Sequence, residues 1–325
     1  MVVGRGSDAL VTSPGVTPVT EARPFLKWAG GKRQLLPVLR TYYPGRIEAY
    51  HEPFLGSGAV FFDVRASGRL ASVPVWLSDE NPDLVGCYLR VRDAVAAVIA
   101  ELERLAAGHA DRGATFYYEV RDCHFNPARA AWAARGGQPE DYPVELAAAL
   151  IYLNRTGYNG LFRLNRSGGY NVPAGRYLRP AIVKGDRLRA ASAALAAPGV
   201  SIQCAPFHDA VAGALPGAFV YFDPPYAPLG RTANFRSYTA NGFSDADQAR
   251  LQALAVDLAG RGVHVLLSNS SAPSIEQLYK GTTAASVGLR LRRVPARRAI
   301  NTRADRRGFV DEVVVSNLRP AAWPA

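Results

Sequence analysis

Cysteine is scarce in this chain, and what little there is builds no framework. Cys87, Cys123 and Cys204 are its three cysteines. They lie far apart in sequence, which excludes a disulfide scaffold and fits a reducing, cytoplasmic setting. Histidine is nearly as sparse. His51, His109, His124, His208 and His264 are scattered, and Cys123-His124 has no second pair near it, so zinc spacing is absent and no metal is expected. Long hydrophobic runs are missing too. The longest, such as 146–153, fall far short of the ~20 apolar residues that span a bilayer, so no membrane partner is expected. The first 20 residues are rich in Gly, Ser, Thr, Val and Pro and lack the continuous apolar stretch of a secretion signal. Residues 1–22 therefore read as a disordered leader.

Acid is also in short supply. The chain carries 27 Asp and Glu against 38 Lys and Arg, a net charge of +11. Such an excess points to a polyanionic partner, nucleic acid or an anionic surface, although a merely basic enzyme has the same balance. With 325 residues, 48% of them hydrophobic, there is material for a full core in one large domain or two smaller ones. No internal repeat or low-complexity array occurs.

Several short apolar runs have the look of buried parallel strands: 47–53, 73–79, 219–223, 263–268 and 310–316. A helix is expected over 57–67. Another should cover 245–258, where Ser244 can cap and Asp247 can complete a capping box. Strands alternating with helices indicate an α/β protein with a doubly wound, Rossmann-like sheet. Residues 83–183 break that rhythm. They offer helical patterns at 82–107, 117–125 and 144–155, then a Gly/Asn/Arg-rich stretch, 157–179, whose Gly168-Gly169 suits a hairpin. We read this region as a mainly helical insert carrying a β-hairpin. The α/β domain then comprises residues 23–82 and 184–320.

Three short motifs carry chemistry. In the first, His51-Glu52-Pro53-Phe54-Leu55-Gly56-Ser57-Gly58 joins a strand to a helix. Its glycines allow a tight turn and close approach to a nucleotide-like ligand, and Asp79 at the end of the next strand can bind ribose hydroxyls. The third glycine of a dinucleotide pattern would fall at Phe61, too bulky for close packing beside a pyrophosphate, so a cofactor without phosphate is favoured. Taken alone, the turn also fits a purely structural corner. The second motif, Asp223-Pro224-Pro225-Tyr226, follows an apolar strand. Its prolines remove two amide donors and leave carbonyls able to accept. An amino group has two hydrogens to give, one to the Asp223 carboxylate and one to the Pro224 carbonyl. Tyr226 offers a flat face to a base, a contact worth roughly 1–3 kcal/mol. A proline-capped strand end is the plainer alternative. The third motif, Pro24-Phe25-Leu26-Lys27-Trp28-Ala29-Gly30-Gly31-Lys32, would by itself be a loop with a buried indole.

Together, and in this order, the three resemble the Dam family of DNA adenine methyltransferases. The likeness extends through Leu153-Asn154-Arg155-Thr156-Gly157-Tyr158-Asn159-Gly160, Asn171-Val172-Pro173-Ala174-Gly175-Arg176-Tyr177 and Ala233-Asn234-Phe235, and covers nearly all of 23–318. The resemblance implies S-adenosylmethionine as methyl donor and the N6 amino group of a flipped-out adenine in duplex DNA as acceptor. It implies cofactor contacts from Trp28, Lys32, Phe54, Gly56, Gly58, Asp79 and Asp223. The catalytic set becomes Asp223, Pro224, Pro225 and Tyr226, and the insert becomes a target-recognition domain reading DNA with Lys27, Tyr158, Leu161, Arg163 and Pro173. It also implies GATC as the target and a chain acting as a monomer. Arg163 can grip guanine bidentately, Lys27 can bind the same edge, and Pro173 or Leu161 can meet a thymine methyl.

Neighbouring readings share parts of this pattern. A methyltransferase acting on RNA or protein glutamine would share the sheet, a NAD-dependent oxidoreductase the Gly-rich turn, and a non-catalytic DNA-binding protein the charge. The segment 227–243 either closes over the flipped base or merely connects. The basic residues Arg292, Arg293, Arg297, Arg298, Arg303, Arg306 and Arg307 read as phosphate contacts in preference to a solvated face. His51, His208 and His264 read as structural, since the reaction needs no imidazole base.

Overall fold

The structure is a computed structural model and describes residues 21–28, 30–227, 243–297 and 309–321. Most of the leader, Ala29, most of the segment expected either to close over a base or to connect, and the basic residues Arg298, Arg303, Arg306 and Arg307 lie outside them.

Seven strands form one sheet in the order β3-β2-β1-β4-β5-β7-β6. They are β1 (Tyr50–Glu52), β2 (Val75–Asp79), β3 (Val200–Cys204), β4 (Phe219–Phe222), β5 (His264–Ser270), β6 (Arg290–Arg297) and β7 (Phe309–Ser316). β1 to β5 run parallel, whereas β7 is antiparallel to both β5 and β6. All five expected strands are present, but one orientation and two strands escaped the sequence reading. Val313, Val314 and Val315 are fully buried. An apolar run buried on both faces looks the same in either direction, so the parallel expectation for β7 had no way to fail in sequence. β3 and β6 are the two edges, only partly buried and rich in polar residues, and edges lack the apolar signature. β6 also holds Arg292, Arg293 and Arg297, three of the basic residues expected to contact phosphates.

Ten helices occur among the described residues: α1 (Leu36–Leu39), α2 (Ala59–Ala66), α3 (Pro82–Asp93), α4 (Val95–Glu119), α5 (Asn126–Ala134), α6 (Val144–Thr156), α7 (Gly185–Leu195), α8 (Asp245–Gly260), α9 (Pro273–Lys280) and α10 (Thr282–Ser286). Asn81 caps α3 by accepting from the amides of Asp83 and Leu84, with Pro82 at the first helical position. The capping box of Ser244 and Asp247 is formed at α8. The single helix expected over 82–107 is broken at Ala94 (φ −138°, ψ 35°). α4 is itself kinked at Gly113 (φ 51°, ψ −125°), where two helical segments meet. The helix expected at 117–125 lies in the segment after that glycine, which passes into a π-helical turn, Val120–Phe125. The expected hairpin is irregular: 157–174 doubles back with two isolated antiparallel bridges, Gly157 to Ala174 and Leu164 to Tyr170, and no regular strand.

Apolar side chains alternate along the central strands, so each face of the sheet has its own cluster. Phe219, Tyr221, Leu266 and Val314 belong to one, and Val220, Phe222, Val265, Leu267, Val313 and Val315 to the other. The second is closed by α8 and α9 through Leu251, Leu258 and Ile275. The first continues without a break into α3, α4 and α6, so these helices share the core of the sheet. Burial of such side chains contributes roughly 1.5–3 kcal/mol each, before conformational entropy is subtracted. No described helix is long and apolar enough to cross a membrane.

Candidate active site

The chain visits β1, moves outward to β2 and β3, then returns to β4 on the other side of β1. The reversal falls at the carboxyl ends of β1 and β4, where open α/β sheets take their ligands. Glu52 ends β1 and Asp223 follows β4, so both carboxyls stand at this switch point.

After β1 the chain turns sharply. Gly56 (φ 47°) and Gly58 (φ 65°) adopt left-handed backbone that side chains disfavour, and Gly58 leads directly into α2. Asp79 ties this turn to β2: one carboxylate oxygen accepts from the Gly56 amide and the other from the Asn81 amide, both at 3.0 Å. Burial pushes the Asp79 carboxyl up to about 6, against the pull of these two amides. Phe61, at the expected non-glycine position, is fully buried and packs on Phe62 with ring centroids 5.0 Å apart. Glu52 is 2% exposed and accepts from the Tyr50 hydroxyl at 2.6 Å. Burial, helped by the negative charge of Asp223, raises its carboxyl to about 8 despite that hydrogen bond. Phe54 stacks on Phe207, 5.4 Å between centroids, and meets Phe222 and Phe243 edge-on.

At the second motif, Lys32 is 4% exposed and its ammonium lies 2.7 Å from Oδ1 of Asp223. The same Nζ donates to the Gly30 carbonyl and stands 4.6 Å from the centre of the Tyr226 ring. Burial raises the Asp223 carboxyl, with Lys32 opposing that shift. Ser268 on β5 donates to Oδ1 of Asp223 at 3.3 Å. The loop beyond is held by side chains from α8 and β5. Gln248 Nε2 donates to the Pro225 carbonyl at 3.0 Å, Asn269 donates to Gln248 at 3.0 Å, and Ser270 Oγ donates to the Ala227 carbonyl at 2.7 Å. The prolines removed amide donors here, so these contacts come from carbonyls and side chains. Among the described residues, no donor reaches the Pro224 carbonyl.

The third motif joins the other two. Gly31 N donates to the Trp28 carbonyl at 3.1 Å. A Cβ on Gly56 would lie 3.0 Å from the Trp28 indole, so the indole rests on the Gly-rich turn. On its far side Trp28 stacks on Phe162 at 5.9 Å. Lys27 is clasped by Asn154, whose amide oxygen accepts the Lys27 N–H at 2.8 Å and whose Nδ2 donates to the carbonyls of Lys27 and Gly160. Gly160 has room for no side chain, because a Cβ would fall 2.5 Å from that of Lys27. The Lys27 ammonium sits 4.2 Å above the Tyr177 ring.

The remaining expected DNA-reading residues share one irregular ribbon. Tyr158 is exposed and its amide donates to the Pro173 carbonyl at 2.9 Å, while the Leu161 carbonyl accepts from Tyr170 at the same distance. Arg163 is exposed and donates through Nε to Asn171 Oδ1 at 2.7 Å. Arg293, by contrast, is not a free cation. It pairs with Glu276, Nε to Oε1 at 2.6 Å, and faces Asp311 at 3.8 Å. His51 stacks on Trp76 at 4.6 Å, a structural setting. The supporting residues Tyr50, Phe207, Gln248, Ser268, Asn269 and Glu312 were not singled out in the sequence. The run Ser268-Asn269-Ser270 at the end of an apolar strand was the one visible hint.

A mostly parallel α/β sheet with a Gly-rich turn, an acid at the next strand end and Asp-Pro-Pro-Tyr at the switch point fits the methyltransferase class. Comparison with known proteins gives the particular family. The pattern of the D12 class N6 adenine-specific DNA methyltransferase family matches residues 28–291, and the chain belongs to that family. It is 36% identical over 296 residues to the type II methyltransferase M1.LlaDCHI of Lactococcus lactis subsp. cremoris, covering 91% of this chain and 95% of the relative. To the DNA adenine methylase of Vibrio cholerae it is 35% identical, covering 90% and 95%, and to that of Escherichia coli K12 34%, covering 90% and 94%. The chain is thus an enzyme, an adenine-specific DNA methyltransferase, and membership implies use of S-adenosylmethionine.

Proposed function

We propose that this enzyme methylates the N6 amino group of an adenine rotated out of duplex DNA, within the sequence GATC. The observation that carries the reading is the Asp223 carboxylate beside the Pro224 carbonyl at the end of β4, with the Tyr226 ring next to them. These two acceptors match the two hydrogens of an amino group. Accepting both draws the nitrogen lone pair out of conjugation with the ring and favours the tetrahedral nitrogen of the transition state. S-adenosylmethionine, when bound, supplies an electrophilic methyl group. Trp28, Phe54, Gly56, Gly58 and Asp79 would hold it at the turn after β1, and Lys32, paired with Asp223, would hold that carboxylate in place. Orientation for in-line attack supplies much of the remaining acceleration. Unstacking the adenine costs a few kcal/mol, offset in part by stacking on Tyr226.

Residues 83–183 act as the recognition domain in this reading. Lys27 and Arg163 read guanine, and Leu161 or Pro173 contacts a thymine methyl. The packing of Lys27 against Asn154 and Gly160 supports it, since it couples the loop that carries Trp28 and Lys32 to the ribbon that carries Tyr158 and Arg163. The enzyme works as a cytoplasmic monomer on double-stranded DNA. The test is single-turnover transfer of a tritiated methyl group to duplexes that differ from GATC at one position each, with digestion to nucleosides to identify the labelled base. N6-methyladenine formed preferentially in GATC supports the proposal. Preference for another sequence overturns the target, and label in RNA or protein overturns the substrate.

A further inference from the structure

β7 is antiparallel, so its beginning, and not its end, lies at the catalytic edge. Glu312 occupies that position, in register with Ser270 of β5 and Val294 of β6. Its Oε2 accepts from the Tyr226 hydroxyl at 2.8 Å, and its charge is close enough to act on Asp223. Tyr226 is thus held at both ends. Its backbone follows the double proline, the carbonyl just before it is gripped by Gln248, and its hydroxyl is anchored on a different strand. A phenol ring can otherwise turn about its own bonds, and stacking on a base is sensitive to the plane it presents.

We propose that Glu312 is a positioning residue for methyl transfer, fixing the plane of the Tyr226 ring by accepting its hydroxyl hydrogen. The proposal rests on the reading of Asp223 to Tyr226 as the site of the accepting base. It assigns Tyr226 a second requirement besides its ring: the hydroxyl matters because it is the handle by which the ring is held.

The experiment is a double-mutant cycle on single-turnover methyl transfer at saturating S-adenosylmethionine, with label counted in the DNA and the labelled base identified after digestion. Glu312→Ala and Tyr226→Phe should each lower the rate by about tenfold or more, the scale of a hydrogen bond to a charged group. The double variant should be no slower than the slower single one, because both changes break the same bond. Glu312→Gln keeps an acceptor in the same shape and should stay within about threefold of the parent rate. Cofactor affinity should be unchanged throughout. Rate losses that multiply in the double variant would overturn the proposal. So would a wild-type rate in Glu312→Ala, or equal loss in the Gln and Ala variants. Should Glu312→Ala fail to fold, Tyr226→Phe retaining the full rate overturns it from the other side. Label on a base other than adenine would reject the functional reading, yet coupling between 312 and 226 would still be read from the same counts.

Discussion

Replacing Asp223 by Asn separates catalysis from stability, because two different partners use the carboxylate. Catalysis needs it as an acceptor aimed at an amino group. The amide keeps the shape but offers one oxygen in place of two and adds a donor, so loss of one preorganised acceptor should slow transfer by about 10²–10³, or 2.7–4 kcal/mol. Stability uses the same group as counter-ion to Lys32, 2.7 Å away and 4% exposed. Breaking a buried pair from one side costs ~3–5 kcal/mol. Here the Asp223 side chain is 22% exposed, and Lys32 keeps the Gly30 carbonyl and the Tyr226 ring. A loss of about 1–3 kcal/mol is therefore expected. Adding Lys32→Met removes the stranded ammonium and should recover most of that stability without restoring turnover. Urea denaturation measures the first quantity and single-turnover tritium transfer the second. Near-parental transfer by folded Asp223→Asn would refute the catalytic assignment. An unstable double variant would refute the counter-ion argument.

Three further outcomes are expected. Glu52 has its carboxyl raised to about 8 in the folded chain, so folding takes up a proton that the unfolded chain has released. Its contribution is fully present below the ordinary carboxylate value and is lost as pH rises to about 8, with a slope of at most about 1.4 kcal/mol per pH unit. Glu52→Gln should flatten that part of the stability curve, and an unchanged slope in denaturation titrations would contradict the burial argument. Gly56→Ala places a side chain at φ 47° and 3.0 Å from the Trp28 indole, so stability should fall by roughly 1–2 kcal/mol and cofactor affinity with it. Gly45→Ala, where an added Cβ meets nothing within 4 Å, is the control; calorimetry on both decides. Arg163→Ala should cost about 1–3 kcal/mol of discrimination at one outer base pair in the duplex panel, whereas equal weakening on every duplex would make Arg163 a backbone contact.

Much of the site was legible before any coordinates, for a physical reason. The Gly-rich turn, the acid ending the next strand and the Asp-Pro-Pro-Tyr loop are short because each does its work through backbone geometry over a few consecutive residues. Between residues 82 and 156 the helices expected at 82–107, 117–125 and 144–155 were legible as elements, but α5 and the junctions were not. Ala94 breaks a periodic pattern that continues on either side of it, and the π turn after Glu119 has the composition of an ordinary helix. The ribbon at 157–174 was expected to be a hairpin on the strength of Gly168-Gly169. Its turn is held by the Asn165 side chain, which accepts from the Ser167 and Gly169 amides, and by backbone bonds from Asn165 N to the Gly169 carbonyl and from Asn171 N to the Arg163 carbonyl, with only isolated bridges beyond.

By itself, the order of residues determined the family, the α/β alternation, the position of the Gly-rich turn after β1 and the Asp-Pro-Pro-Tyr loop after β4. Each of these depends on neighbours in sequence. Tertiary structure alone decided which distant side chains complete the site. Lys32 meets Asp223 because the loop after residue 25 folds over the switch point, and Asn154 clasps Lys27 from a helix more than a hundred residues away. Glu312 reaches Tyr226 only because β7 runs antiparallel. Direction in a strand buried on both faces leaves no trace in its apolar run, since burial rewards the same side chains whichever way the backbone points.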